Sequence, residues 1–370
     1  MMNKRFVQSY LLFMGIIGIF ASCHEHNMPA KVHESEPSTL PSLSNMHIVL
    51  ITGDYTPAAK ICTWKDNKKA AYTIAFDDAR ASHFKIAGPE LQKRGMVGTF
   101  NLNTKDVSWW GPWQQLFDAG NEIASHTWSH PRCTELSEEE LRLELLLAKV
   151  DIIWNIKGIL EVPSFCYPYG AYNDFVRKIV LEYHLSARAA KEGINKTTLT
   201  EEEFGMLKAI CATKPCDINA MNQRVQETIK ENGWAIFCFH SVSPEEEYTE
   251  STIPLSLFRQ HLDFVCDMKD SLWIATQGHV AKYIKTRENA QLTCQLVNNE
   301  IIELTLSDIS TIYGIKMKIS FTLNLPSSWQ DCYLVVNNTT LNVSEIALAT
   351  GNTLLYDILP GETLTIHGVK

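Results

Sequence analysis

Short apolar runs alternate with helix-length amphipathic stretches from about Thr52 to Lys285. The runs at 71–76, 97–102, 122–125, 164–167, 185–187 and 235–239 have strand length and end at polar or turn-forming residues. The clearest helical pattern between them opens at Ser137, where Ser137 and Glu140 make a capping box. Leu141, Leu145, Ala148 and Ile152 then mark one face, and Gly158 offers a stop. Strands separated by helices need crossover connections, so they pair in parallel. The pattern predicts an α/β unit, either a parallel sheet or a (β/α) barrel.

From about Asn289 the texture changes. Short strand-like runs at 291–297, 301–306, 316–323, 333–336, 352–358 and 363–367 follow one another, with Asn298-Asn299 and Pro360-Gly361 as turns and no long helical period. This predicts a small all-β, sandwich-like unit. Packing or spacing is its default role. Carbohydrate binding is the alternative, but Trp329 and Tyr333 are too few aromatics to define a sugar platform.

The N-terminus has the pattern of an export signal. Lys4 and Arg5 precede a short apolar core from Leu11 to Phe20, too short to span a bilayer as a mature helix. Small residues then lead into Cys23, the arrangement of a bacterial lipoprotein signal in which that Cys is acylated; a plain secretory signal is the alternative. The expected division is a signal peptide over 1–22, a Ser-, Pro- and Glu-rich tether over 23–50, a catalytic domain over 51–288 and the all-β unit over 289–370. An exported protein held at a membrane by a lipid on Cys23 follows. A formal charge of −9 with no basic stripe argues against a nucleic-acid partner. The ten cysteines contain no CxxC pair that would suggest structural zinc. Cys211 and Cys216 could bridge, but most of the thiols read as buried and free.

In a (β/α) barrel the reactive side chains gather at the carboxyl ends of the strands. Asp77 and Asp78 follow the first run, His126 the third, Tyr167-Pro168-Tyr169 the fourth, Arg188 the fifth and His240 the last. One Asp after a strand can be a helix cap, and one His can be an ordinary core residue. Convergence of all these ends on one rim is what such separate readings lack. His126 and His130 are four apart, so a helical turn there would put both rings on one face. Carboxylate and imidazole ligands suit zinc first, with cobalt, nickel and manganese open, and three ligands leave room for water. Two adjacent acids divide the work: one binds the metal and the other stays free as a base for an acidified water.

Phe-Asp-Asp, His-Thr-x-x-His, Pro-Tyr-Gly and a late Phe-His, in that order, resemble the NodB-type polysaccharide deacetylases, carbohydrate esterase family 4. The resemblance covers roughly 73–284. It implies a distorted (β/α) barrel of the deacetylase type and metal-dependent removal of acetyl groups from N- or O-acetylated sugars. By position, it makes Asp78, His126 and His130 the metal ligands, Asp77 the general base and His240 the general acid. Tyr169 lines the site and gives a backbone N–H to the oxyanion, beside Pro168. Three departures stand out. Ala79 follows the acid pair where the family usually has Gly, a worse change if φ there is positive. Cys166 stands where the family has the Arg that pairs with the catalytic acid; Arg188, or less favourably Arg80, is the substitute. The aromatic segment 109–113 could place Trp110 on a sugar ring, or could simply anchor a loop. His83, His184 and His279 read as structural or surface residues.

The resulting expectation is a metal-dependent carbohydrate deacetylase acting on an acetylated oligo- or polysaccharide. Chitin-type oligomers, peptidoglycan, acetylated xylan and host glycans are all candidates. The alternatives are a non-catalytic glycan-binding surface protein on the same scaffold, and a metal-dependent hydrolase of non-sugar C–N amide bonds.

Overall fold

Every residue of the strand Ala70–Phe76 is buried, the mark of a strand covered on both faces. Around it the computed structural model describes residues 55–212, 217–244, 251–307, 317–337, 339–342, 347–349 and 352–369. The export signal, Cys23, the tether and Cys216 lie outside the described residues.

A short strand β1 (Ala59–Ile61) comes first. The parallel set follows: β2 (Ala70–Phe76), β3 (Thr99–Leu102), β4 (Glu122–Ser125), β5 (Ser164–Cys166), β6 (Ser186–Arg188), β7 (Ile210–Cys211) and β8 (Trp234–Phe239). They hydrogen-bond in the order β6-β5-β4-β3-β2-β8-β7, and a strand at Leu272–Ile274 adds to the start of β2. This is a distorted barrel, as the family resemblance implies, and it is incompletely closed. Six of the expected strands form; the two-residue β7 and the strand at Leu272–Ile274 carry too short an apolar signal to be separated from their flanks.

Alternation along the strands decides what fills the barrel. Tyr72, Ile74, Phe76, Phe237 and Phe239 join one apolar cluster, together with residues of the surrounding helices. Ala71, Ala75, Ile236 and Cys238 face the other way, into a second cluster. That second cluster runs without a break through Val280, Tyr283 and Ile284 of the helix Gln277–Asn289 into the C-terminal strands. The helix is buried at eight positions because it packs on both sides. Its Gln277 reaches Thr99 and Ser186 on the parallel strands, and Tyr283 bonds to Cys62 and Ser320. The helix therefore plugs the amino end of the barrel and leaves the carboxyl end for chemistry.

The C-terminal region forms two antiparallel sheets, as the alternating texture predicts. One sheet includes β1, which pairs with Ile319–Asn324. The sequence boundary at 289 marks a change of texture, yet the all-β layer also draws on residues 59–61. Trp329 is buried and its indole N–H donates to Asn299 O, while Tyr333 stacks on His367. Eight cysteines among the described residues are free thiols. Among the described residues, no helix is long and apolar enough to cross a membrane.

Candidate active site

All the carboxyl ends of the parallel strands point to one rim. Asp77 and Asp78 leave β2, His126 leaves β4, Tyr167 to Tyr169 leave β5, Arg188 ends β6 and His240 leaves β8. One register fixes several of them at once: Ala75 and Phe76 pair with Cys238 and Phe239, and Cys166 pairs with Arg188.

Asp78, His126 and His130 bring three donor atoms together. Asp78 Oδ1 lies 3.5 Å from His126 Nε2 and 3.3 Å from His130 Nε2, and the two imidazole nitrogens are 3.2 Å apart. The His pair does not sit on a helical turn, as the i, i+4 spacing suggested. Thr127 and His130 both take positive φ, 66° and 60°, and the loop doubles back through them. A left-handed β-branched residue is costly and persists only where the surroundings fix it. Here Thr127 Oγ1 accepts from His130 N–H at 3.0 Å. Glu144, on the helix Glu138–Asn155, accepts from both the N–H and the hydroxyl of Ser129, at 2.8 and 2.6 Å. That is the capping-box helix of the sequence, here clamping the loop between the two histidines. His126 Nδ1 donates to Cys166 O at 2.8 Å, which fixes the ring with Nε2 turned toward Asp78.

The donor set fits a divalent cation: one carboxylate oxygen and two imidazole nitrogens, all within 4.8 Å of one another. Arg80 binds the other Asp78 oxygen at 2.9 Å and so does not serve Asp77. Burial would raise the Asp78 pKa, but its contacts with His126, His130 and Arg80 hold it far below the usual carboxylate range.

Asp77 is buried and differently held. Arg188 Nη2 donates to both of its oxygens, at 2.6 and 2.5 Å, and Asn101 Nδ2 donates to Oδ1 at 2.8 Å. The thiols of Cys238 and Cys166 approach Oδ2 at 3.2 and 3.6 Å. Burial alone would favour the neutral acid; the Arg188 charge outweighs it and keeps Asp77 ionised. Arg188 therefore occupies the role left vacant at position 166, reaching Asp77 from the neighbouring strand and passing 2.7 Å from the Cys166 sulfur. Asn101 is a partner the sequence reading missed. Its signal was available: Thr99 and Asn101 are polar alternate residues in a strand buried at all four positions.

His240 lies at the end of β8, close enough for its charge to act on Asp77. Its carbonyl accepts a hydrogen bond from His83 Nε2. His83 is structural, as read, but it stands directly under the site. It is fully buried on a π-helical turn, and desolvation drops its pKa to about 4, so it stays neutral. Pro168 is buried, whereas Tyr169 takes φ 58° and is largely exposed. Its ring meets His130 edge-on at 4.8 Å, with the Arg132 guanidinium 4.7 Å from the ring centre. The structure does not bring Trp110 to this group. Trp110 packs with the apolar cluster that contains the fully buried Trp113, so the segment anchors its loop; only Trp109 is strongly exposed. His184 is buried, bonded to Val162 O, and His279 is exposed.

Ala79 has φ 50°, the unfavourable case for a side chain in the family's glycine position. A left-handed Ala costs roughly 1–2 kcal/mol, partly offset because Gly gains more freedom in the unfolded chain. Ala79→Gly should therefore stabilise the protein by about 0.5 kcal/mol, read from urea unfolding midpoints. A lower midpoint would mean that packing of the Ala79 methyl on the neighbouring core outweighs the strain.

The chain is similar in sequence to several known proteins. Residues 65–187 match the polysaccharide deacetylase family model. A gellan lyase from a Bacillus species is 20% identical over 295 residues, covering 74% of this chain and 12% of that protein. Chitin deacetylase 2 of Cryptococcus neoformans is 30% identical over 129 residues, covering 34% of this chain and 25% of its own length. The chain thus spans a quarter or less of the length of these two relatives. A solved structure of a polysaccharide deacetylase homologue from Mycobacterium smegmatis aligns over 66% of this chain and 98% of its own, with 16% identity and a TM-score of 0.48.

Proposed function

We infer that this chain, which through residues 65–187 belongs to the polysaccharide deacetylase family, is a metal-dependent hydrolase that removes acetyl groups from a glycan. One observation carries the reading: a three-donor cluster of Asp78, His126 and His130 stands beside a second carboxylate, Asp77, that is kept charged although buried.

In this reading Asp78, His126 and His130 hold a divalent cation, zinc first by ligand type. Bound there, such a cation would supply Lewis-acid polarisation of the acetyl carbonyl and make a nearby water more acidic. Asp77 accepts the proton of that water. Oδ2 is the oxygen suited to this: besides Arg188 it meets only thiols, and the more distant one, Cys166 at 3.6 Å, is a weak donor that a water can displace. His240 gives a proton to the departing nitrogen or oxygen of the sugar. The Tyr169 backbone N–H donates to the developing oxyanion, a contact worth about 10²–10³ in turnover at comparable sites. The exposed Tyr169 ring and Trp109 are available to sugar faces.

The test is acetate release from a panel of chitin oligomers, peptidoglycan fragments and acetylated xylan, before and after chelation and after return of zinc, cobalt, nickel or manganese. The name of the Cryptococcus relative puts chitin first on that panel. Release that a chelator stops and a metal restores is the expected result. Acetate release indifferent to chelation would overturn the metal role. A specific observation favours a second reading, a glycan-binding protein without turnover: the short donors around Asp77 already engage its lone pairs. Binding without acetate release from any panel member would establish it. Release confined to small non-sugar amides would move the substrate out of the carbohydrates.

We also place the protein outside the cytoplasm, anchored by a lipid on Cys23, on the charged, apolar and small-residue pattern before that Cys. Cys23→Ala should then shift the protein from the membrane fraction to the soluble fraction.

A further inference from the structure

Two thiols behind the catalytic carboxylate face each other across a strand pair. Cys211 ends β7 and Cys238 lies on β8, and the two are direct Cα partners in the parallel ladder. Neighbouring strands run about 4.8 Å apart, inside the roughly 4.4–6.8 Å that a disulfide spans between Cα atoms. Both are free thiols, and their side chains interact directly. Their surroundings differ. Cys238 is buried and donates its S–H to Asp77 Oδ2 at 3.2 Å. Cys211 is half-buried, and the neighbouring Cys238 thiol together with the Arg188 charge brings its thiol down to about 7 against the pull of burial. One sulfur is thus reachable and nucleophilic, and the other is protected and tied to the base.

We propose that Cys211 and Cys238 form a thiol–disulfide site for small-molecule disulfides, and that closing it removes a hydrogen-bond donor from Asp77. Cys211 thiolate attacks one sulfur of the reagent, breaking its S–S bond, and a reagent thiolate leaves. Cys238 gives up its proton and attacks the Cys211 sulfur of the mixed disulfide, releasing the second reagent thiol. Two protein S–H groups become one S–S bond, and one reagent disulfide becomes two thiols. Cys238 then has no proton to offer Asp77 Oδ2. Arg188 and Asn101 still hold the carboxylate, so the site is altered without being dismantled. The consequence for turnover rests on the deacetylase reading; formation of the bond does not.

The experiment treats the whole chain with glutathione disulfide and maps its peptides without reduction, alongside acetate release. A Cys211–Cys238 peptide pair is expected, with kcat/KM about ten-fold lower, as fits loss of one hydrogen bond to a charged group. Dithiothreitol should restore activity. Cys211→Ser should keep the reduced enzyme's turnover and become indifferent to the oxidant. A bridge to Cys216 or Cys166 instead, no bridge at all, or a bridge that leaves an active enzyme's turnover unchanged would overturn the proposal. A wild-type protein that releases no acetate in either state sinks the deacetylase reading, and the peptide map alone then decides the thiol pair.

Discussion

Arg188→Met should destabilise the folded protein by about 3–5 kcal/mol, because it strips a buried carboxylate of the guanidinium that binds both its oxygens. Arg188 and Asp77 are 2% and 4% exposed, so solvent cannot replace the lost partner. The pH dependence gives the sign. In the wild type Asp77 has a folded pKa below its unfolded value, so it contributes stability above about pH 4 that fades as pH falls toward the folded value. In the variant burial is opposed only by Asn101, the two thiols and the nearby imidazoles, and it lifts the folded pKa above the unfolded one. Its penalty is then small in acid, where the carboxyl is protonated, and grows as pH rises through neutrality. Urea unfolding of chelated protein across pH 4–8 should show that widening gap. A constant gap would mean that Arg188 acts by packing alone. Turnover should also fall by about 10²–10⁴, the range of a lost general base. Moving the arginine by combining Cys166→Arg with Arg188→Cys keeps the charge and nearly the same volume. It should recover part of the lost rate; no recovery would show that the β6 position itself is required.

Much of this site was legible because parallel topology obeys simple rules. Once short buried strands alternate with helices, their carboxyl ends share a rim, and Asp77, Asp78, His126, Arg188 and His240 must lie near one another. The local paths were not legible. Spacing at His126 and His130 suits a helix, but Thr127 and His130 adopt left-handed conformations stabilised by Glu144, which lies 14 residues beyond the loop. Sequence periodicity contains nothing about such a tertiary clamp. Asn101 and Cys238 were missed for a related reason. Each is one residue in a run read for its apolarity, and its value appears only when the alternation turns it toward Asp77. The role of Arg188 was open to inference because a missing arginine leaves a buried acid that must find another cation. Trp110 shows the limit of composition: an aromatic run is equally a sugar platform and a loop anchor until burial decides.

Division of labour between the two acids predicts two losses that differ in kind. Asp77→Asn should lower kcat by about 10²–10⁴ while the purified protein retains its metal, because the proposed mechanism makes Asp77 the base and not a ligand. His130→Ala removes one of three converging donors and should lose both metal and turnover, with elemental analysis giving the stoichiometry. Both oxygens of Asp77 are crowded by donors. An amide at this position keeps the shape but turns one oxygen into a donor facing Arg188 and the thiols, so some loss of stability is expected beside the loss of rate. The assay must therefore compare kcat at equal folded fraction and equal metal occupancy. If Asp77→Asn retains full turnover under those conditions, Asp77 is a structural counterion for Arg188 and the base lies elsewhere. If it loses its metal as His130→Ala does, the two carboxylates share the cation, and the separation of their roles fails. Retained metal with lost turnover is the outcome that the separate surroundings of Asp77 and Asp78 require: one is enclosed by Arg188, Asn101 and two thiols, the other opens toward the imidazoles.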